Sequence, residues 1–173
     1  MAAVVAIDPG LTGAIAYYDG RTLDVEDMPT EARGKKSAVD LEKLADLTAR
    51  PHIWVIGYSG PPAHGVIENV ATMPKQGLAS ACNFGKTIGA CEMALVAAGC
   101  ELVRVTPPVW KFGVGLNADP KADTKARKNA SRARATELFP SYAHLFARVK
   151  DDGRAEAALM AWWFVHKHTR KTP

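Results

Sequence analysis

The chain has 173 residues, 47% of them hydrophobic, and a net charge of +4. That length fits one domain able to bury a core without disulfide or metal staples, and the apolar fraction excludes a disordered chain. No apolar run reaches the roughly 18 residues that span a bilayer, so no membrane partner is expected, and the mild basicity leans toward an anionic one.

The opening run Ala3-Val4-Val5-Ala6-Ile7 is continuously apolar and β-branched, the pattern of a strand buried on both faces. Asp8-Pro9-Gly10 ends it in a turn. Thr12–Tyr18 and Thr22–Met28 read as two further strands joined at Asp19-Gly20, so the chain opens with an antiparallel meander. Glu31–Lys36 is a charged loop, and helical spacing from Ser37 to Ala49 predicts a helix started by Ser37 or Asp40. Ile53–Ile56 and Gly65–Val70 are strand-like, with loop chemistry over Gly57–His64 between them. A helix is expected over about Phe84–Ala98, then a strand over Glu101–Thr106 closed by Pro107-Pro108. A basic helix over Lys125–Phe139 and a last helix over Asp152–His168 complete the pattern, with 169–173 as a frayed tail. Such an order predicts a mixed sheet with helices on its faces. In the helix near Phe84, the residues Ile88, Ala90, Cys91, Ala94, Leu95 and Ala98 suit either core packing or a dimer face. Cys82, Cys91 and Cys100 are odd in number and include no C-x-x-C pair. A zinc site is therefore not expected, and with no charged leader ahead of the first strand the thiols fit a reducing, cytoplasmic setting.

Four acids carry the chemical argument. Asp8 closes the first strand, and Glu68 interrupts the apolar run Val66-Ile67-Glu68-Asn69-Val70. Asp152 and Glu156 stand four apart and share one face of the last helix. Taken singly these are a turn aspartate, an edge-strand residue, a helix cap and a solvated glutamate. Taken together, carboxylates in apolar surroundings are costly unless paired or bound to metal. Hard oxygen donors of this kind suit Mg²⁺, and two ions about 4 Å apart can cleave a phosphodiester. The small residues Ala155, Ala157, Ala158 and Ala161 would let the last helix lie close to the sheet and bring its acids to the first strand.

These residues resemble a known family. Ala6-Ile7-Asp8-Pro9-Gly10-Leu11-Thr12-Gly13 is similar to the first motif of RuvC-type Holliday junction resolvases, and Val66–Val70 to their second acidic strand. Met73–Gly77 with Phe84-Gly85 and Gly89 resembles the segment that follows in phage-type members. Thr106-Pro107 with Trp110-Lys111, the stretch Lys128–Ala135 with Leu138-Phe139-Pro140, and Asp152–Ala157 resemble later motifs in the family's order. The resemblance implies an α/β, ribonuclease H-like fold with a five-stranded mixed sheet. It implies two Mg²⁺ ions, with Mn²⁺ as a substitute, a homodimer, and paired nicks in a four-way DNA junction. Asp8, Glu68, Asp152 and Glu156 would be the metal carboxylates, with Asp151 an alternative to its neighbour, and Lys111 and Lys128 would stand near the scissile phosphate. Three features depart from the pattern. Ile53–Ile56 intervenes before the second acidic strand and leaves the identity of the central strand open. Ala71 stands where cellular members carry an aromatic wedge, and residues 117–127 form a longer loop.

Lys121, Lys125, Arg127, Lys128, Arg132 and Arg134 form a cationic run facing few acids, which favours a phosphate-binding surface. Lys75, Gln76 and Lys86 offer further contacts around Glu68, and Arg154 adds one beside the last acidic motif. Two other functions fit parts of this pattern: an actin-like or sugar-kinase-type ATPase, which also opens on an Asp-x-Gly hairpin, and a DNA-binding relative without catalysis. The first needs a second phosphate hairpin that the sequence does not show, and the retained acidic set argues against the second.

Overall fold

The computed structural model describes residues 3–34, 36–49, 64–70, 77–116 and 123–168. β1 (Val4–Asp8), β2 (Ala14–Tyr18) and β3 (Leu23–Asp27) form the expected meander, with Val4 opposite Tyr18 and Ala14 opposite Asp27. The region read as a charged loop and the start of a helix is instead a second hairpin, β4 (Thr30–Arg33) and β5 (Lys36–Val39). Of the two possible helix starts Asp40 is the one used. Its carboxylate accepts from the Lys43 amide at 3.0 Å, opening α1 (Leu41–Ala49). Ala38 and Val39 fall in step with the helical spacing by coincidence and belong to the strand.

β6 (His64–Glu68) pairs in parallel with β1, Val4 beside His64 and Ile7 beside Ile67. The acidic strand is therefore the parallel neighbour of β1, the central strand of the sheet; Ile53–Ile56 lies outside the described residues. α2 (Leu78–Ala97) starts earlier than expected and leads to β7 (Glu101–Val105), parallel to β6. The five-stranded sheet runs β3-β2-β1-β6-β7. Pro107-Pro108 do not merely close β7 but begin α3 (Pro107–Gly113), since proline suits the first turn of a helix. α4 (Thr124–Leu138) follows, capped by the Asp123 carboxylate on the Ala126 amide at 2.7 Å. A 3₁₀ stretch over Pro140–Phe146 leads to α5 (Asp152–Trp163), which runs into a π turn at Phe164–His168.

Alternation along the strands divides the core into two layers. Val5, Ile7, Ile15, Tyr17 and Ile67 face α1 and α2, where Leu44, Leu47, Cys91 and Leu95 meet them. Ile88, Ala90, Ala94 and Ala98 pack against the same layer, so the apolar spacing of α2 is core packing. Val4, Ala6, Ala14, Ala16 and Val66 face α5 on the other side, with Trp110, Phe146 and Phe164 completely buried there. Asp8 and Glu68 continue the second series, so their side chains lie on the α5 side of the sheet. β1, β3, β6 and β7 all run in one direction, which puts Asp8, Asp27, Glu68 and Val105 at the same edge.

Candidate functional site

The last helix reaches that edge because nothing larger than glycine separates them. A Cβ on Gly153 would strike the Thr12 carbonyl oxygen and come 2.8 Å from Gly13 Cα, and one on Gly13 would strike the Asp8 carbonyl. Ala155, Ala157, Ala158 and Ala161 are fully buried along the contact. The β1–β2 turn and the first turn of α5 are thus in backbone contact, which carries Asp152 and Glu156 toward Asp8.

Asp8 feels all three other acids. Burial, first, and then repulsion from Glu156, Glu68 and Asp152 raise its pKa from 3.8 to about 8, against a lowering hydrogen bond from the Gly10 backbone. Glu68 is 8% exposed. Burial raises its pKa as well, opposed by a hydrogen bond from the Trp110 indole N–H to Oε1 at 2.8 Å. That N–H is the partner a buried carboxylate needs, and Trp110 itself is completely buried. α3 therefore does two things at once. It turns Trp110 inward onto Glu68 and sends the next residue, Lys111, to Glu156 Oε1 at 3.1 Å.

Glu156 Oε1 also accepts from Ser131 Oγ on α4 at 3.0 Å. Lys128, one turn earlier on α4, pairs with Asp152 Oδ2 at 2.5 Å, and this hydrogen bond, ahead of the wider field of Glu156 and Asp8, raises the lysine's pKa. The four acids thus meet in one electrostatic neighbourhood, but two are held by ammonium groups, and among the described residues no three carboxylates form a ready-made metal site. The donor set still fits a hard divalent cation. All donors are oxygens, two sit on neighbouring strands and two on one helix face, and Asp8 is held above its ordinary pKa by burial and then by the other three acids.

Asp151 belongs elsewhere. It is 1% exposed, its Oδ2 accepts from the Arg148 amide at 2.8 Å, and its Oδ1 meets the Arg148 guanidinium at 2.8 Å. Burial works against its charge, yet the Arg148 contacts together hold its pKa below the usual range. It locks the chain entering α5, and only its neighbour Asp152 bears on Asp8.

The cations expected on DNA divide in two. Lys125 and Arg127 on the fully exposed first half of α4, and Lys86 on α2, point to solvent. Arg132 instead donates to the Arg148 carbonyl at 3.1 Å and Arg134 to the Val114 carbonyl at 2.6 Å, so both brace α4 against its neighbours. Arg154 forms a two-pronged pair with Asp27 at 2.5 and 2.8 Å, which lowers the pKa of Asp27 and ties α5 to β3. Lys75, Gln76 and Lys121 lie outside the described residues. Sequence reasoning missed the hydrogen-bonding roles of Trp110 and Ser131; the only local signal was the Trp-Lys pair itself.

No protein-family model and no curated protein matches the chain. Among solved structures, RuvC of T. thermophilus in complex with a Holliday junction substrate matches with a TM-score of 0.65 at 14% identity, covering 99% of this chain and 98% of that one. A second Thermus thermophilus RuvC structure matches with a TM-score of 0.51 at 14% identity over 96% and 97% of the two chains. With its five-stranded mixed sheet and flanking helices, this chain has the ribonuclease H-like fold of RuvC.

Proposed function

We propose that this chain is a metal-dependent endonuclease that resolves four-way or related branched DNA by paired nicks, acting as a homodimer. The observation that carries the reading is the convergence of Asp8, Glu68, Asp152 and Glu156 at one sheet edge of a fold whose solved neighbour holds a Holliday junction. The likeness of Met73–Gly77 with Phe84-Gly85 and Gly89 to phage-type members favours a phage-type member, acting in the cytoplasm of a bacterial or infected cell.

Asp8, Glu68, Asp152 and Glu156 would hold two Mg²⁺ ions, or Mn²⁺ in their place, which supply an activated water and a counter-charge for the departing oxygen. Trp110 and Ser131 keep Glu68 and Glu156 aimed. Lys111 and Lys128 neutralise Glu156 and Asp152 in this structure; released from them, each ammonium stands beside the same edge to balance charge building on the phosphate. Lys125, Arg127 and Lys86 contact the backbone of the DNA, and Lys75, Gln76 and Lys121 join them by sequence position. Phosphate contacts carry little sequence information, so selection of a branched substrate falls to two sites presented by a symmetric pair.

The test is incubation with synthetic duplex, fork, flap and four-way DNA, with and without Mg²⁺. Symmetric nicks confined to the four-way substrate and dependent on the metal are expected. Equal cleavage of plain duplex, or cleavage that survives chelation, would overturn the assignment.

A further inference from the structure

The same sheet edge carries a second feature on its other face. β3 runs parallel to β1, so the β4–β5 hairpin leaves the sheet from the edge that bears Asp8. α2 packs on the sheet by its second half, through Cys91 and Leu95, while residues 78–80, 82, 83, 85 and 86 of its first half are exposed. Between hairpin and helix lies an open cleft of about 1200 Å³. Pro9 and Leu11, one and three residues after Asp8, line it from the β1–β2 turn; Arg33 and Lys36 line it from the hairpin, and Asn83 and Lys86 from α2.

Most of the lining is apolar, and its charged residues have a single sign. Arg33, Lys36 and Lys86 contribute three cations, and no carboxylate occurs among the described residues that line it. Glu31 pairs with Arg33 at 2.7 Å, but both side chains are exposed and such a pair is worth little. The volume of the open cleft exceeds the range of about 300–1,000 Å³ typical of small-ligand pockets. An extended polyanion fits it better than a compact one. The exposed cations of α4 lie with α5 on one face of the sheet; this cleft lies on the other.

We infer that the cleft between the β4–β5 hairpin and the first half of α2 binds a second stretch of polynucleotide backbone, the one leading away from the cleaved phosphate on the face opposite α4. This rests on the nuclease reading above. A substrate crossing the acidic edge is then gripped on both sides of it, and the hairpin acts as one wall of its path.

The experiment uses full-length Asp8→Asn protein and a labelled four-way junction, with affinity followed against salt concentration. Removing one cation that neutralises a phosphate lowers the slope of log affinity against log salt by about 0.9 on duplex DNA. Lys36→Ala with Lys86→Ala is expected to lower it by about 1.8 and to weaken binding about tenfold at physiological salt. Arg21→Ala, an exposed cation at the opposite edge of the sheet, should leave the slope unchanged. Tight binding with an unaltered slope in the double variant overturns this inference and spares the nuclease reading. Absence of DNA binding by the unsubstituted protein overturns both. A peptide or protein that occupies the cleft while leaving DNA affinity intact would also contradict it.

Discussion

A carboxylate beside three others at the end of a buried strand gains little by ionising until a cation arrives, and Asp8 is that carboxylate. Its pKa stands at about 8 against 3.8 in an unfolded chain. Between those values the native protein keeps a proton that the unfolded chain has released, so stability is highest at the acid end and falls as pH rises through the window. In chelator, the parent should therefore melt at lower temperature at pH 8 than at pH 5. Asp8→Asn, which carries no charge, should flatten that dependence and melt roughly 5 °C above the parent at pH 8, while losing cleavage and keeping junction binding. A parent melting curve unchanged across the window would show that the acids do not strain one another. The two adjacent aspartates separate by the same kind of test. Asp151→Asn should cost about 1–3 kcal/mol in urea denaturation, because it breaks the charged bonds to Arg148, and should retain cleavage. Asp152→Asn should do the reverse. Equal loss of turnover in both would mean that geometry has assigned the wrong residue.

At the scale of elements, the site depends on how closely α5 can approach the β1–β2 turn. Gly153→Ala places a methyl group against the Thr12 carbonyl and should cost about 1–3 kcal/mol by displacing the helix. It should also weaken Mn²⁺ binding, because Asp152 and Glu156 move with α5. Gly85→Ala is the contrast: it lies inside α2 with nothing within 4 Å of an added Cβ. There the substitution should stabilise by about 0.5–1 kcal/mol through helix propensity and a less flexible unfolded chain. If both variants behaved alike, the close approach would not be a constraint. Much of this was legible in sequence, since the four alanines of α5 announced a tight contact and the β-branched first strand announced its burial on two faces. The β4–β5 hairpin was not, because Ala38 and Val39 continue the apolar spacing of α1 backward without a break. α3 was missed because a Pro-Pro pair stops a strand and starts a helix with equal ease, and only the three-dimensional course after β7 decides between them.

For the molecule as a whole, parallel strands do the assembling. β1 and β6 were recognisable as acidic strands, but sequence left open whether Ile53–Ile56 displaced Glu68; the parallel register of β1 with β6 seats Glu68 beside Asp8. Hydrogen bonds that span the chain, such as Trp110 to Glu68 and Ser131 to Glu156, leave no trace in local pattern and emerge only once the sheet and helices are stacked. The basic helix was legible as a run of charge. Its division into bracing residues, Arg132 and Arg134, and outward ones, Lys125 and Arg127, was not, since it depends on what lies beneath α4. What unites these parts is the reading of four distant acids as a single receptacle for divalent ions. Titrating Mn²⁺ into the full-length protein, with free Mn²⁺ followed by electron paramagnetic resonance, addresses that reading without requiring turnover. Uptake by the parent, and its loss in Asp8→Asn and in Glu68→Gln alike, is the expected result; undiminished uptake in either variant would contradict it.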